Sequence, residues 1–240
     1  MITLSHSLLQ DILTHAALEE PNECCGVLVV EGHKDYRYIP LTNATDKLNR
    51  FAISPRTYTQ VCDNHDVVAI VHSHVLLSPK PSECDLVEIE RTKKPFVIVN
   101  WPTGQYTVTN PSGYKAPLIG RPFVHGVLDC YSLIRDYYAK TFNIILADFD
   151  RDDEWWHKGQ NLYLENFENQ NFVDMGQDAK PQMGDVILMQ VLSPVPNHGA
   201  IYFSDNVILQ HITNRLSGKD VYGGYWRKNT THILRHKTLL

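Results

Sequence analysis

The stretch HSHVLLSPKPSECD, residues 72–85, follows the continuous apolar run of residues 67–71. An apolar run of this length predicts a buried strand, and residues two apart in a strand point to the same side. His72 and His74 therefore converge at the end of that strand. Helical spacing resumes at residue 82, which places Asp85 in the first turn of the next helix, within reach of the same metal ion.

Two imidazoles and one carboxylate form a ligand set typical of catalytic zinc. Three protein ligands leave a fourth tetrahedral position for water, whose pKa falls enough to make hydroxide available near neutral pH. Glu23, just before a predicted strand at Gly26, is the candidate general base, and the Ser82 hydroxyl is a candidate for stabilising an oxyanion. Alternatively, Ser82-x-x-Asp85 is only a helix capping box and the histidines are ordinary polar residues.

Taken together, these residues resemble the JAMM metallopeptidase family. The shared pattern is a glutamate within PNECCG (residues 21–26), then His-x-His, seven residues, and Ser-x-x-Asp. The resemblance covers about residues 5–110 and implies an α/β domain that uses zinc to hydrolyse amide or isopeptide bonds. Val75 departs from the proline that commonly follows the second histidine in that family. We expect this domain to occupy residues 1–112.

Composition and charge limit the classes of function. A chain of 240 residues can hold two cores, and 43% apolar with 20% charged residues predicts a soluble globular protein. The formal charge of -5, without a dense Lys/Arg run, argues against direct nucleic-acid binding. No apolar stretch approaches the roughly 20 residues of a membrane span, and the N-terminus lacks a signal-peptide pattern, so we expect cytoplasmic synthesis. The five cysteines have no metal-finger spacing and fit free thiols.

Local patterns outline the organisation of the chain. A capping-box pattern and helical spacing predict a first helix over residues 7–17, and two strands are expected at 26–30 and 36–39 around a turn at 31–34. Between residues 110 and 121, two prolines, two glycines and the loss of periodicity predict a domain linker.

The second half carries a possible cysteine site. Cys130 stands directly before a helical pattern, where backbone N–H groups and the helix dipole favour a thiolate and where its own N–H would serve an oxyanion hole. His198 begins a predicted strand and His211 ends the next one. A loop of two or four residues would put both histidines on one face, with His198 as base and His211 as orienter, and a loop of three would separate them. A lone cysteine or histidine is more often structural.

The ordered set resembles the NlpC-type papain-like cysteine peptidases. The shared features are Asp-Cys before a helix, a Gly184-Asp185 strand entry, a His-Gly-x-Ile-Tyr strand and then His211. The order of a helix followed by strands predicts an α+β domain, which we place at residues 118–240. The resemblance implies cleavage of peptide crosslinks in bacterial cell walls.

The whole chain also resembles tail tip assembly proteins of lambda-like siphophages. The likeness includes FVHGVLDCY (123–131), DEWW (153–156) and GQNLYL (159–164). It implies other tail tip proteins as partners and peptidoglycan peptides as substrate. It also implies location in the host cytoplasm during assembly, at the virion tail tip, and in the periplasm on entry.

One competing hypothesis is a mainly structural assembly protein with vestigial or maturation-only sites. Another, removal of ubiquitin-like tags, leaves the second half unexplained.

Overall fold

The chain folds as two units, Met1–Lys115 and Ala116–Leu240. They are seen in a computed structural model that describes residues 2–32 and 35–240, so His33 and Lys34 of the predicted turn lie outside the described residues. Within the described ranges the longest helix has 14 residues, and no helix is both long and apolar enough to cross a membrane.

The first unit is a five-stranded sheet with helices packed on it. The strand order is β2-β1-β3-β4-β5, and β3 and β4 are parallel whereas the other neighbours are antiparallel. A parallel pair needs a crossover connection, and α3 supplies it. The elements are α1 His6–Glu19, β1 Cys25–Glu31, β2 Asp35–Leu41, α2 Pro55–Asn64, β3 Val67–Val75, α3 Glu83–Thr92, β4 Phe96–Trp101 and β5 Tyr106–Thr109.

Strand β3 lies at the centre of this sheet and is buried on both faces. Ala69 and Val71 pack with Ile12 of α1 on one face, and Ile70 packs with Ile89 of α3 on the other. This two-sided burial explains why the strand has a continuous apolar run rather than an alternating one. Because β3 is held firmly along its length, the polar residues at its carboxyl end have a defined position.

The predicted linker is partly held by the first unit. Glu90 Oε1 on α3 accepts the backbone N–H groups of Ser112, Gly113 and Tyr114 at 2.6, 2.7 and 3.0 Å. These three bonds hold the pKa of Glu90 at about 2, well below its usual range. Within the predicted linker over residues 110–121, the backbone of residues 112–114 is thus fixed by a distant carboxylate of the first unit.

The second unit has one long helix and a six-stranded antiparallel sheet of order β10-β9-β8-β7-β11-β6. Strands β6 and β10 and helices α5 and α6 were not predicted, because runs of three to five residues carry little periodicity. The elements are α4 Cys130–Phe142, α5 Leu162–Asn166, β6 Phe172–Asp174, β7 Val186–Met189, β8 His198–Ser204, β9 Val207–Gln210, β10 Gly218–Val221, α6 Gly224–Lys228 and β11 Thr230–His236.

The two faces of this sheet carry different cores. Ile201 and Leu209 face the cluster that contains the residues of α4, whereas Ala200 and Ile208 face a second cluster with Tyr222. Residues that alternate along a strand point to opposite faces. The pairing register of β8 and β9 alone thus decides which of the two cores a side chain on these strands faces.

A β-bulge at Phe203 sets that register. Ser204 pairs with Val207, leaving a loop of two residues, but the next pairs are Tyr202 with Ile208 and Ala200 with Gln210. Without the extra residue, His211 would pair with Ala200 on the neighbouring strand, and the two side chains would point to the same face of the sheet. The bulge shifts the pairing by one position, and a shift of one residue exchanges the two faces of a strand.

Candidate metal centre and cysteine site

The three predicted metal ligands meet at the carboxyl end of β3. His72 Nε2 and His74 Nε2 are 3.2 Å apart, His72 Nε2 is 3.4 Å from Asp85 Oδ1, and His74 Nε2 is 3.6 Å from Asp85 Oδ2. Tetrahedral zinc with bonds of about 2.0–2.1 Å separates its ligand atoms by about 3.3–3.4 Å. The two Nε2 atoms thus have nearly the spacing of two zinc ligands, and the Asp85 carboxylate lies within reach of the same ion, each histidine contacting a different one of its oxygens.

Neighbouring residues orient both imidazole rings. His74 Nδ1 is 2.6 Å from the Ser78 carbonyl oxygen, a contact that leaves Nε2 free to bind a metal. The His72 ring stacks on Phe51 at 4.4 Å and meets the edge of Phe96 at 5.8 Å. Among the described residues, His72 Nδ1 has no hydrogen-bond partner, so aromatic packing holds this ring in place.

The capping box considered as an alternative is present and coexists with the cluster. The backbone N–H and the hydroxyl of Ser82 both donate to Asp85 Oδ2 at 2.7 Å, and the Asp85 N–H donates to Ser82 Oγ at 3.2 Å. These bonds fix the carboxylate at the start of α3. The single hydroxyl proton of Ser82 is thereby committed to Asp85, so a role for Ser82 in stabilising an oxyanion requires that hydroxyl to rotate.

Burial and mutual contact set the charges of the three ligands. Burial lowers the pKa of His72 to about 4, so this imidazole is neutral, as a ligand must be. Burial also opposes the charge on His74, but its bonds to Asp85 and to the Ser78 carbonyl outweigh burial and raise its pKa. Burial would raise the pKa of Asp85, yet His74, His72 and Ser82 together hold it at about 2.

Glu23 has the properties of a proton-transfer group beside this cluster. It precedes β1 and is 3% exposed, and its position is fixed by the next residue, whose N–H donates to Ser73 Oγ on β3 at 2.8 Å. Burial raises the pKa of Glu23 to about 7, while His74 lowers it and Asp85 raises it. A carboxyl group with a pKa near the working pH suits a general base.

The loop after His74 is held despite the missing proline at Val75. Leu76 has a positive φ of 58°, and its N–H donates to the Trp101 carbonyl at 2.7 Å. The Asn100 side chain donates to the Leu77 carbonyl. One backbone and one side-chain contact with β4 thus fix a loop that lacks the rigidity of proline.

Cys130 lies at the first residue of α4, as predicted, and its surroundings on balance oppose ionisation of the thiol. Burial raises its pKa and Asp129 adds to the effect, while the Tyr163 hydroxyl, the Gly199 N–H and the Arg151 guanidinium only partly oppose it. The thiol shares a hydrogen bond of 3.1 Å with the Tyr163 hydroxyl. Burial therefore opposes the thiolate that the N-terminus of a helix favours.

His198 is paired with Gln210 and not with His211. The His198 Nε2 atom lies 2.9 Å from Gln210 Oε1, which the bulge at Phe203 brings to the face of Ala200 and His198. Burial lowers the pKa of His198 and the contact with Gln210 raises it. The contact with His198 that the shared-face alternative predicted for His211 is therefore made by Gln210, because His198 and His211 lie on opposite faces.

His211 itself lies on the opposite face. It is 0% exposed and meets Phe123 at a ring separation of 5.1 Å. Burial and then the charge of Arg121 lower its pKa to about 4. His211 is therefore a neutral core residue of the second unit.

The strand that carries His198 reaches the neighbourhood of Cys130. A Cβ atom added at Gly199 would lie 2.8 Å from Ile134 Cδ1 on α4 and 3.4 Å from the Tyr163 hydroxyl. Only glycine lets the strand approach α4 this closely. Within the described residues, however, the thiol bonds to Tyr163 and the imidazole to Gln210. The two elements adjoin without a hydrogen bond between Cys130 and His198.

Comparison with known proteins defines the family. The family described as prokaryotic homologs of the JAB domain matches residues 5–110, and the NlpC/P60 family matches residues 120–235. Tail tip assembly protein K of Escherichia phage N15 is 39% identical over 230 residues, which are 94% of this chain and 93% of that protein. This chain belongs to the tail tip assembly protein K family.

A second phage protein and one solved structure are also similar to this K-family chain. Tail tip assembly protein K of Escherichia phage lambda is 38% identical over 185 residues, 77% of this chain and 89% of that protein. A JAB1/MPN domain protein from Archaeoglobus fulgidus is 25% identical with a TM-score of 0.33, covering 48% of this chain and 95% of its own. The predicted fold class, an α/β JAMM-type domain plus an α+β NlpC-type domain, is confirmed.

Two residues of the cysteine site were missed by sequence reasoning in this K-family chain. Gln210 is the polar end of the apolar run of β9 and is 2% exposed, and a buried polar side chain beside a candidate histidine was a usable signal. Tyr163 is 33 positions from Cys130 and carries no local signal, because only the packing of α5 brings it to the thiol.

Proposed function

We propose that this chain is a tail tip protein with two hydrolase sites, a zinc-dependent peptidase in residues 1–112 and a cysteine peptidase in residues 118–240. The observation that carries the proposal is the convergence of His72, His74 and Asp85 with separations of 3.2–3.6 Å. Two imidazoles in their neutral form and one carboxylate make up a set of ligands that catalytic zinc uses.

At the first site His72, His74 and Asp85 would hold the zinc ion. When bound, the metal supplies Lewis-acid activation of water and of the scissile carbonyl group. Glu23 takes the proton of the attacking water and returns it to the leaving nitrogen, a dual role that its pKa of about 7 suits. The Ser82 hydroxyl is available to the developing oxyanion once it turns from Asp85.

At the second site Cys130 is the nucleophile, His198 the base and Gln210 the orienter. Since burial favours the protonated thiol, the thiol proton must pass to His198 before attack. The strand around Gly199 therefore has to bring the imidazole into contact with the sulfur, displacing Tyr163 from its resting bond. The N–H of Cys130 at the start of α4 contributes to the oxyanion hole.

We infer that the substrates contain peptide or isopeptide bonds, with peptidoglycan stem peptides as the leading class. The NlpC/P60 family match and the relation to tail tip assembly proteins of two Escherichia phages support this assignment. The partners are other tail tip proteins. The sites of action are the host cytoplasm during assembly and the periplasm, reached with the virion tail tip on entry. The net charge of -5 argues against direct binding of nucleic acid.

A second candidate is a mainly structural assembly role for the cysteine unit. The raised pKa of the Cys130 thiol and its bond to Tyr163 in place of His198 favour this alternative. Under it, the second unit serves tail assembly, and any activity is confined to maturation or to the metal site.

The decisive experiment measures zinc content and cleavage together. Purified protein is incubated with Gram-negative peptidoglycan, and released muropeptides are identified by mass spectrometry for wild type, His74→Ala and Cys130→Ala. Exposed residues give matched controls, His65→Ala and Cys62→Ala. Loss of products in one site variant, with full activity in its control, assigns the reaction to that site.

Other results of this experiment would contradict parts of the proposed function. If zinc-loaded wild type retains its fold but releases no muropeptide, the peptidoglycan assignment is withdrawn. If it also leaves crosslinked tail tip proteins uncut, the structural role is the better account. Zinc retained by His74→Ala at the wild-type ratio would contradict the metal centre itself.

A further inference from the structure

A row of polar side chains continues behind His198, beyond its contact with Gln210. His198 Nε2 is 2.9 Å from Gln210 Oε1, and Gln210 Nε2 donates to Asp220 Oδ2 at 2.7 Å. Arg215 holds the far side of the same carboxylate, with contacts of 3.3 Å to each of its two oxygens. The row runs from a buried imidazole to the rim of the sheet.

The burial of these side chains changes in steps along the row. Gln210 is 2% exposed, whereas the Asp220 and Arg215 side chains are 25% and 56% exposed. Asp220 lies on β10 opposite Ile208, which shares the face of Gln210. The register of β10 therefore aims this carboxylate at the amide, and water reaches its outer side.

The chemistry of the row decides which end of the amide faces the histidine. An ionised carboxylate only accepts hydrogen bonds, so Asp220 must face the NH₂ group of Gln210. The amide oxygen then faces His198, and an oxygen only accepts. His198 Nε2 must consequently carry a proton, which leaves Nδ1 as the unprotonated, basic nitrogen of the neutral ring.

We propose that Asp220 is a positioning residue of the cysteine site, which fixes the amide of Gln210 and thereby the tautomer of His198 with Nδ1 as the base. The catalytic consequence rests on the function proposed for Cys130 and His198. The tautomer itself does not, since it follows from hydrogen bonding alone. Without the carboxylate the amide can turn its NH₂ group to His198 and favour the Nδ1–H form, which cannot accept the thiol proton at Nδ1.

The test reads the tautomer directly. Full-length protein labelled with ¹⁵N-histidine is examined by long-range ¹H–¹⁵N NMR near pH 8, above the ordinary imidazole pKa of about 6.5, with His198→Gln to assign the signal. We expect wild type and Asp220→Glu to show the Nε2–H form and Asp220→Asn to show a substantial Nδ1–H fraction. Asp205→Asn, the same change at an exposed position of the β8–β9 turn, should leave the spectrum unchanged.

An Nδ1–H form in wild type overturns the proposal, as does an unchanged tautomer in Asp220→Asn. Circular dichroism checks the fold of the variant, and Asp220→Ser, which removes the same carboxylate with a smaller side chain, replaces it if Asp220→Asn does not fold. In a peptidase assay we expect Asp220→Asn to lower kcat by about 10- to 100-fold with little change in KM, by analogy with the loss of outer partners of metal-binding histidines. Inactive wild type with the expected tautomers would refute the peptidase function and leave the positioning role standing.

Discussion

Zinc should stabilise the first unit selectively, because its ligands already stand in position. The two Nε2 atoms are 3.2 Å apart, close to the roughly 3.3–3.4 Å between ligand atoms of tetrahedral zinc, and they contact the two oxygens of the Asp85 carboxylate at 3.4 and 3.6 Å. Binding therefore requires little rearrangement and also neutralises the charge of the buried Asp85. An unfolded chain offers no such arrangement, so binding to the native state raises the free energy of unfolding.

The size of the effect follows from mass action. Free zinc at 100 times its dissociation constant adds about 2.7 kcal/mol to the free energy of unfolding. For a unit of 115 residues, about 4 °C of Tm per kcal/mol is a fair conversion, so the expected rise is about 10 °C. Because the ligands all belong to the first unit, the transition of the second unit should not move.

Differential scanning calorimetry of the full chain, first with a chelator and then with a zinc titration, measures this directly. His74→Ala and Asp85→Asn should abolish the shift, whereas the exposed His65→Ala should keep it. An equal zinc shift in His74→Ala would mean that the metal binds elsewhere. The absence of any shift in wild type at saturating zinc would refute the argument from ligand spacing.

Two further predictions concern the second unit. Asp185→Asn should lower the free energy of unfolding of the second unit by about 3–5 kcal/mol, measured by urea denaturation. The reason is that the buried Arg235, which pairs with Asp185 at 2.8 Å, loses its counter-charge. The control Asp178→Asn, at an exposed position, should change this free energy by less than about 0.5 kcal/mol. Tyr163→Phe removes a hydrogen bond that lowers the pKa of the Cys130 thiol, so the rate–pH profile for iodoacetamide should move to higher pH. A profile that stays in place or moves to lower pH would contradict the stabilising role of that bond.

The candidate metal centre was predictable because its residues are set by local geometry. His72 and His74 are two apart on one strand, and Ser82 and Asp85 form a capping box at the start of one helix. Each pair has a defined direction from its own element alone. A short connection from β3 to α3 then leaves few ways to separate the two pairs.

The charge of Cys130 was not predictable in this way. Its place at the N-terminus of α4 followed from the sequence, and that place favours a thiolate. Burial is a sum over contacts from distant segments, including α5 with Tyr163 and β8 with Gly199. Desolvation by these segments opposes the effect of the local dipole and raises the pKa of the thiol.

The sequence alone thus determined the fold class and the positions of the three candidate metal ligands, of Cys130 and of His198, because each depends on the period of a single element or on a family pattern. Only the tertiary structure decided the partner of His198. The two-residue loop by itself favours His211, but the bulge at Phe203 shifts the register by one and brings Gln210 to that face. A bulge arises from how two strands pack together, and the alternation of side chains turns that single extra residue into an exchange of faces.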